Sequence, residues 1–280
     1  MKSYPIKLTL TIISSVSLIT LLAGKVAAIT EPPLQIANYS TTTIAQTETT
    51  PDLDSLAKTI SNFFQPNSYL TESESLYTGK IQGSNFLVKT KTKTLAQSGG
   101  KFRSEITFTQ EGESKQINYL LISDGKKVWT YQPDLKQYAV TPYERFTELF
   151  LIGNSSSIFL GIPEDTRQVI AQSENSKSTL QEFGLNLLEL QQEQRRVDGE
   201  ELSIYTYKDS TNGLTIRGFI QSQTGNLKQM EMSGNMDGVD LVMIEKILQR
   251  TADPAMDAQT FTFTPPEGVK KVKSLSISPF

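Results

Sequence analysis

The sequence contains no cysteine and no histidine among its 280 residues. Without cysteine there are no disulfides, thiol nucleophiles or thiolate metal sites, so the folded state depends on a packed core. Without histidine the commonest general base and metal ligand is missing. The chain also lacks a G-x-S-x-G motif, a phosphate-binding loop and a dinucleotide-binding glycine pattern. These absences predict a protein that uses no cofactor and no metal and is not an enzyme. A hydrolase that uses carboxylates remains as an alternative.

Basic residues are also too few for a polyanion partner. Lys and Arg number 27 against 30 Asp and Glu, a net charge of −3. Residues 1–28 carry three lysines and no acid, so their removal leaves 24 basic and 30 acidic residues, a net charge of −6. This balance argues against nucleic acid, and against adhesion to anionic lipid surfaces, because both depend on excess Lys and Arg.

The N-terminus carries a short apolar run, 8–23, that serine and threonine interrupt six times. It is too short and too polar for a comfortable membrane span, and small residues end it at the spacing of a cleavage site. We predict a signal peptide over 1–28, cleaved after Ala28; an N-terminal anchor helix is the alternative. Lys25 stands where a lipoprotein signal would need cysteine, so no acyl anchor can be attached by that route.

A polar leader and one amphipathic helix are predicted next. Residues 29–50 are poor in large apolar side chains and cannot repay their ordering entropy, which predicts disorder. Thr50 and Pro51 then read as an N-cap and a first helical residue, and Pro66 ends the helix. The apolar stripe recurs at helical spacing. It comprises Leu53, Leu56, Ala57, Ile60, Phe63 and Phe64.

Most of the remaining chain alternates with a period of two. Even positions from Phe86 to Thr94 oppose lysines at odd positions, and Phe102, Ile106 and Phe108 oppose Arg103. Such alternation predicts antiparallel strands with one apolar and one wet face. Tight hairpin turns are predicted at five dipeptides. These are Asp124-Gly125, Asp198-Gly199, Asn212-Gly213, Gly225-Asn226 and Asp237-Gly238. We expect about ten strands in a single α+β domain over 51–280.

Two further features interrupt or mark the strands. The 143–152 stretch has helical apolar spacing and predicts a short helix that ends at Gly153; 164–182 is polar and could be helix or loop. The five methionines after residue 28 fall between Met230 and Met256. Methionine suits a surface that accepts apolar partners of variable shape, although it also fills irregular cores.

Three segments occur in a characteristic order: DGKKVWTYQPDLKQYAV at 124–140 followed by TP, GNLKQMEM at 225–232, and FTFTPPEGV at 261–269. Together they resemble the LolA-like carriers of outer-membrane lipoproteins, including related predicted periplasmic proteins, over roughly 52–273. The resemblance implies a half-open, strongly curved antiparallel sheet whose mouth is covered by short lid helices. The arginine that latches the lid in many such carriers has no counterpart in 95–105, where Arg103 belongs to the wet face.

The hollow that this fold implies would receive the acyl chains of a lipid or lipoprotein. We expect its cavity and lid to be lined by apolar side chains from the strands and from 143–152. These are Phe102, Ile106, Phe108, Trp129, Phe146, Phe150, Met230 and Met232. Polar substitution of Phe146 or Phe150 should then weaken acyl binding more than folding.

The function implied is that of a soluble periplasmic monomer that carries acyl chains toward the outer membrane. Its partners would be an inner-membrane releasing complex and an outer-membrane receptor. A lipid- or lipoprotein-sensing regulator on the same fold, which binds a membrane protein instead of delivering cargo, is the alternative.

Overall fold

The computed structural model describes residues 48–278, apart from 82–83, 111–115, 174, 183–184, 198, 212 and 237–238. The predicted signal peptide, and the predicted leader up to residue 47, lie outside the described residues. The last part of that leader, Glu48–Thr49, pairs with Gln192 and Glu193.

One sheet of thirteen strands organises the described part of the chain. The strands are β1 (Glu48–Thr49), β2 (Ser68–Ile81), β3 (Ser84–Gln97), β4 (Lys101–Gln110), β5 (Gln116–Asp124), β6 (Lys127–Gln132), β7 (Gln137–Pro142), β8 (Leu190–Val197), β9 (Glu200–Asp209), β10 (Leu214–Gln221), β11 (Leu227–Met236), β12 (Val239–Ala252) and β13 (Lys270–Lys271). Their spatial order is β1-β8-β9-β10-β11-β12-β2-β3-β4-β5-β6-β7-β13. The two end strands do not pair with each other, so the sheet is unclosed.

The ladders are antiparallel except where β13 joins β7 in parallel. The predicted alternation is confirmed in β3 and β4. Phe102 and Ile106 are buried on one face, whereas Lys91 and Lys93 are exposed on the other and pair with glutamates of β2 at 2.8 and 2.7 Å. We call the first the inner face and the second the outer face.

The helices and short 3-10 turns account for the rest of the regular structure. The α-helices are α1 (Leu53–Phe64), α2 (Asn154–Gly161), α3 (Glu164–Gln172) and α4 (Ser176–Glu182), and the 3-10 turns are Tyr143–Arg145, Glu148–Ile152 and Leu187–Glu189. The α1 helix begins later than the sequence predicted. Its cap is Asp52, not Thr50, because the Asp52 carboxylate accepts hydrogen bonds from Ser55 N at 3.0 Å and from Ser55 Oγ at 2.6 Å.

The α1 helix lies across the inner face. At its start the Asp52 amide donates to Gln192 Oε1 of β8 at 2.6 Å, and at its end the Phe63 ring lies 6.1 Å from that of Tyr69 on β2. Five strand-to-strand steps, about 24 Å in a flat sheet, separate β8 from β2. Twelve helical residues span only about 18 Å, as expected if the sheet curves around the helix. The predicted α+β class with a large open antiparallel sheet is confirmed.

The helix predicted over 143–152 is absent, and two 3-10 turns joined by an extended residue take its place. Phe146 has φ −83° and ψ 106°, which breaks the helical path. Carbonyls of the segment bind the sheet instead: the Tyr77 hydroxyl donates to Phe150 O at 3.4 Å and the Thr94 hydroxyl to Ile152 O at 2.8 Å. Side chains of the strands thus replace the hydrogen bonds that a helix would make within itself. We call 143–152 the covering segment.

The chain after β12 passes over the outer face and returns to the inner one. The Phe263 ring lies 5.9 Å from Tyr131 and 5.2 Å from Tyr138, both on the outer face. After β13, Ile277 is buried among inner-face side chains, and the Tyr119 hydroxyl donates to Ser278 O at 3.2 Å.

Candidate functional site

The largest apolar cluster lies on the inner face beneath the covering segment. It draws on strands from β10 through β2 to β6 and on the apolar side chains of the segment itself. The Phe146 ring lies 6.1 Å from Phe102, and the Phe150 ring lies 6.5 Å from Tyr77. The covering segment therefore covers this apolar surface of the inner face. We call this group the main apolar cluster.

Six of the eight predicted cavity residues meet in this cluster. They are Phe102, Ile106, Phe108, Phe146, Phe150 and Met232. Met230 lies on the same face, two residues before Met232 on β11, and is buried. Their predicted role as ligand contacts stays a prediction.

Trp129 does not join them. In the β5–β6 ladder it pairs with Ile122, whereas its neighbour Thr130 pairs with Leu121 of the main apolar cluster. Paired residues share a face and successive residues alternate, so Trp129 points to the outer face. The three aromatic residues of the β6–β7 hairpin, Trp129, Tyr131 and Tyr138, thus all lie on the outer face, the side that the chain after β12 crosses.

A band of polar side chains adjoins the main apolar cluster on the inner face. Its strand members are at most 5% exposed. They are Thr71, Ser73, Ser75, Thr90, Thr92, Thr94, Ser104 and Glu245. Along β2 this polar belt separates Tyr77 of the main apolar cluster from Tyr69, which packs in a second cluster with Phe159 and Ile162. The first turn of α2 lies over it with four buried polar side chains, Asn154–Ser157.

The polar belt is only partly satisfied. Ser73 bonds Thr92, and Thr94 bonds Ser104, each at 2.8 Å between hydroxyl oxygens. Hydrogen-bond partners are lacking, among the described residues, for four other buried atoms: Thr71 Oγ1, Ser75 Oγ, Thr90 Oγ1 and Asn154 Nδ2. Each such group costs about 1–3 kcal/mol. The contact between α2 and the sheet is therefore weaker than an apolar contact of the same area would be.

Glu245 joins this belt to α2. Its carboxylate is fully buried and accepts from Ser155 N at 2.7 Å and from Ser155 Oγ at 3.1 Å. Burial raises the pKa of Glu245, and hydrogen bonds from Ser155 and Ser73 partly oppose that rise. Gly153 must be glycine here, because a Cβ would stand 2.6 Å from Glu245 Oε1 and its φ is +98°.

Arg250 ends the belt on β12. Its guanidinium carbon lies 3.8 Å from the ring centroid of Phe63 and 3.8 Å from that of Tyr69. Burial lowers the pKa of Arg250 to about 10. Nε, Nη1 and Nη2 are all shielded from solvent, and none of them makes a hydrogen bond of ordinary geometry to a described residue. The Tyr69 hydroxyl and the Glu245 carboxylate lie near enough to oppose part of the fall in the pKa of Arg250.

A cleft of about 140 Å³ opens beside the covering segment, between the β3–β4 turn and α3. Arg167 lines it, stacked 4.3 Å from the Phe159 ring and donating from Nη2 to Ser98 Oγ at 2.8 Å. Tyr143 lines the opposite side, and burial raises the pKa of its hydroxyl. The cleft marks the boundary at which the covering segment meets solvent.

The sequence analysis missed Glu245, Arg250 and the role of the belt hydroxyls. A signal for Glu245 was present, because Leu241, Met243, Glu245 and Ile247 share one strand parity. Hydroxyl residues at the inward positions of β2 and β3, in TESES and TKTKT, were a second signal. A Ser/Thr row at positions that should be apolar indicates a polar surface inside the sheet.

Within the described part of the chain, no helix combines the length and the apolar character needed to cross a bilayer. The same residues contain no group of three or more acidic, histidine or cysteine side chains placed to hold a metal ion.

No family model matches the chain. Among curated proteins, it is 25% identical over 189 residues to the outer-membrane lipoprotein carrier protein of Legionella pneumophila (strain Lens), covering 67% of this chain and 79% of that one. It is 26% identical over 174 residues to the protein of the same name from Nitrosomonas europaea, covering 62% and 68%. The resemblance that the three segments indicated is confirmed.

Solved structures with related shapes include LprF from Mycobacterium bovis, with a TM-score of 0.41 and 12% identity over 78% of this chain and 97% of that one. A LolA superfamily protein from Nitrosomonas europaea gives a TM-score of 0.34 and 10% identity over 75% and 97%. Likeness at these values supports no statement about the function of this chain.

Proposed function

We propose that this chain, similar over two thirds of its length to outer-membrane lipoprotein carriers, is itself a periplasmic carrier of lipid acyl chains. Acyl chains would lie on the main apolar cluster after the covering segment moves aside. The observation that carries the proposal is the covering segment, which places Phe146 and Phe150 on the inner face without forming a regular helix.

The free energy of burying an acyl chain is enough to explain its transfer without a covalent reaction. Each methylene left in water costs about 0.8 kcal/mol, so one long acyl chain costs on the order of 10 kcal/mol to expose. A carrier needs an apolar surface for that chain and a cover for the surface when it is empty. Transfer to a receptor then requires only equal or better burial of the acyl chain, with no bond made or broken.

The contact between α2 and the sheet, which would open during uptake, is polar. The α2 helix, which follows the covering segment, rests on the polar belt through Ser155 and its neighbours, and several belt atoms have no partner. Since those groups gain hydrogen bonds with water or with a polar ligand on opening, lifting α2 costs less than uncovering an apolar interface of the same area. The apolar surface that the covering segment leaves is then covered by the acyl chain.

Direct analysis of bound lipid tests the proposal. The protein is isolated from its native compartment, and its ligands are extracted and identified by mass spectrometry. Acyl-chain lipid in near-stoichiometric amount is expected. Reproducible absence of lipid, together with no uptake of a fluorescent acyl probe by the purified chain, would refute the carrier function.

A matched pair of variants distinguishes the inner face from the core as a whole. Ile106 and Ile122 are each 1% exposed on neighbouring strands, but they point to opposite faces. Both Ile106→Thr and Ile122→Thr should lower the free energy of unfolding. Only Ile106→Thr should weaken acyl-probe binding, by about tenfold, because an unsatisfied hydroxyl against an acyl chain costs about 1–2 kcal/mol. Equal loss of binding in both variants would contradict an inner-face site.

A further inference from the structure

The Arg250 guanidinium is the least satisfied polar group described in the molecule. All three of its nitrogens are buried without a partner, although the residue as a whole is only half-buried. A guanidinium carries five N–H donors and no acceptor. Leaving a buried charge unpaired costs several kcal/mol, so such groups normally meet a carboxylate, a phosphate or ordered water.

The surroundings restrict how a partner can approach. The rings of Phe63 and Tyr69 both lie against the guanidinium, each with its centroid 3.8 Å from Cζ. The N–H donors point outward along the edge of the guanidinium, so an acceptor has to bind in its plane. Since all three nitrogens are shielded from solvent, an incoming group reaches them only when the packing around Arg250 opens. An oxygen acceptor in the guanidinium plane would complete this arrangement, and planar two-oxygen anions match it best.

The nearby acids of the chain are engaged elsewhere. Glu245 accepts two hydrogen bonds from Ser155. Asp253 accepts from the backbone amides of Asn67 and Ser68, both at 3.1 Å. Thr71, which faces Arg250 in the β12–β2 ladder, also has an unpartnered hydroxyl. The Arg250 cation and the Thr71 hydroxyl thus stand side by side without a hydrogen bond, and Glu245 acts on Arg250 only through its charge.

Apolar surface begins directly beside this pair. Tyr69 lies 5.4 Å from Phe159, ring to ring, in the second cluster, which also contains Phe64 and Ile162. A ligand with one anionic end and an apolar tail would therefore find both of its parts matched within a few residues of Arg250.

We propose that Arg250 binds the anionic oxygen group, carboxylate or phosphate, of an acyl lipid. This inference rests on the proposed function, since the ligand is the acyl cargo, and it adds the chemistry that selects among cargoes. The guanidinium edge holds the two oxygens, Thr71 Oγ1 donates a further hydrogen bond, and the tail follows the apolar side chains of the inner face.

Equilibrium dialysis with three ligands of one chain length tests the inference: dodecanoate, dodecyl phosphate and 1-dodecanol. The wild type should bind at least one of the two anions about tenfold to hundredfold more tightly than the alcohol, the range expected for charge-assisted hydrogen bonds. In Arg250→Gln the preferred anion should fall to the affinity of the alcohol, and alcohol binding should change by less than about threefold.

Two further variants keep the test decisive. Arg103→Gln removes an arginine from the outer face of β4 and should preserve the preference for anions. Arg250→Lys keeps the positive charge but lacks the planar guanidinium, so it should retain part of the preference for anions. This variant keeps the inference testable if Arg250→Gln does not fold.

Preference for both anions over the alcohol supports the inference and shows that either oxygen group fits the guanidinium. Preference for dodecanoate alone identifies a fatty-acid carboxylate, and preference for dodecyl phosphate alone identifies a phospholipid head. Equal binding of all three ligands, or a preference that survives in Arg250→Gln, means that water alone satisfies the guanidinium and overturns the inference while leaving the carrier function intact. Failure of 1-dodecanol and both anions to bind overturns the carrier function itself.

Discussion

Gly153 shows how one backbone position fixes the closed arrangement. The residue has φ +98°, which L side chains rarely adopt, and it lies against a buried carboxylate oxygen. It joins the covering segment to α2. A side chain at this position would therefore strain the backbone and press on Glu245 at the junction of the two elements.

Gly153→Ala should lower the free energy of unfolding by about 1–3 kcal/mol through backbone strain together with the 2.6 Å approach of its Cβ to Glu245 Oε1. Urea unfolding measures the change. Gly199→Ala is the control, since Gly199 has φ +84° but no atom within 4 Å of its Cβ position, and it isolates the strain. Equal losses would show that the contact with Glu245 contributes nothing.

Glu245 gives the molecule a pH-dependent element. Burial raises its pKa above the usual 4.5, with Tyr77 and Arg250 as the neighbouring ionisable groups. The folded state therefore holds the proton more tightly than the unfolded state. Its contribution to stability is complete below about pH 4.5 and is lost as the pH rises through the raised pKa.

Glu245→Gln should remove this dependence, because the amide does not titrate in this range. Urea unfolding from pH 4 to 8 should show the wild type losing stability relative to the variant as pH rises, by at most about 1.4 kcal/mol per pH unit. A difference that stays flat across the range would mean that the hydrogen bonds from Ser155 keep the carboxylate ionised throughout.

The covering segment is the element on which acyl uptake should depend. It is held to the sheet by its buried apolar side chains and by hydrogen bonds such as the 2.8 Å bond from Thr94 Oγ1 to Ile152 O. That contact places the Thr94 side chain against the backbone of Ile152, so we choose these two positions for an introduced disulfide. Because the chain has no native cysteine, an introduced pair would be the only thiols present.

Thr94→Cys with Ile152→Cys should allow the covering segment to be fixed reversibly. When oxidised, the protein should lose acyl-probe uptake, since the segment can no longer leave the main apolar cluster; reduction should restore it. The reduced double variant is the internal control. Undiminished uptake by fully oxidised protein would show that acyl chains enter without movement of the segment.

Across the whole molecule, the chain after β12 ties distant parts of the sheet together. Phe263 packs on the outer face of β6 and β7, whereas Ile277 is 1% exposed in the main apolar cluster on the inner face. Two faces and one edge of the sheet are thus connected by a segment with only one short strand.

Ile277→Ala should destabilise the protein by about 2–4 kcal/mol despite its place near the C-terminal end, because the change leaves a cavity in a packed cluster. Thermal or urea unfolding measures it. Leu248→Ala is the control, since Leu248 is 56% exposed and should change stability by less than about 0.5 kcal/mol. Similar values for the two variants would show that Ile277 does not contribute to the cluster.

Short sequence patterns predicted those features that depend only on residues close together in the chain. Alternation placed Phe102, Ile106 and Phe108 on one face, and Arg103 on the other, because a strand reverses side-chain direction at every residue. The apolar spacing in the covering segment predicted a helix that is not formed. Two of its carbonyls instead accept hydrogen bonds from Tyr77 and Thr94, which lie far away in sequence. No local signal shows such a bond.

The sequence by itself determined the α+β class, the antiparallel strands, the α1 helix and the likeness to lipoprotein carriers, because these follow from periodicity and short motifs. Only the tertiary structure decided that Trp129 faces outward, that Ser and Thr form a buried belt beneath α2, and that Glu245 and Arg250 end in one polar region. Strand register sets these relations, and register depends on pairing between residues that are distant in the chain.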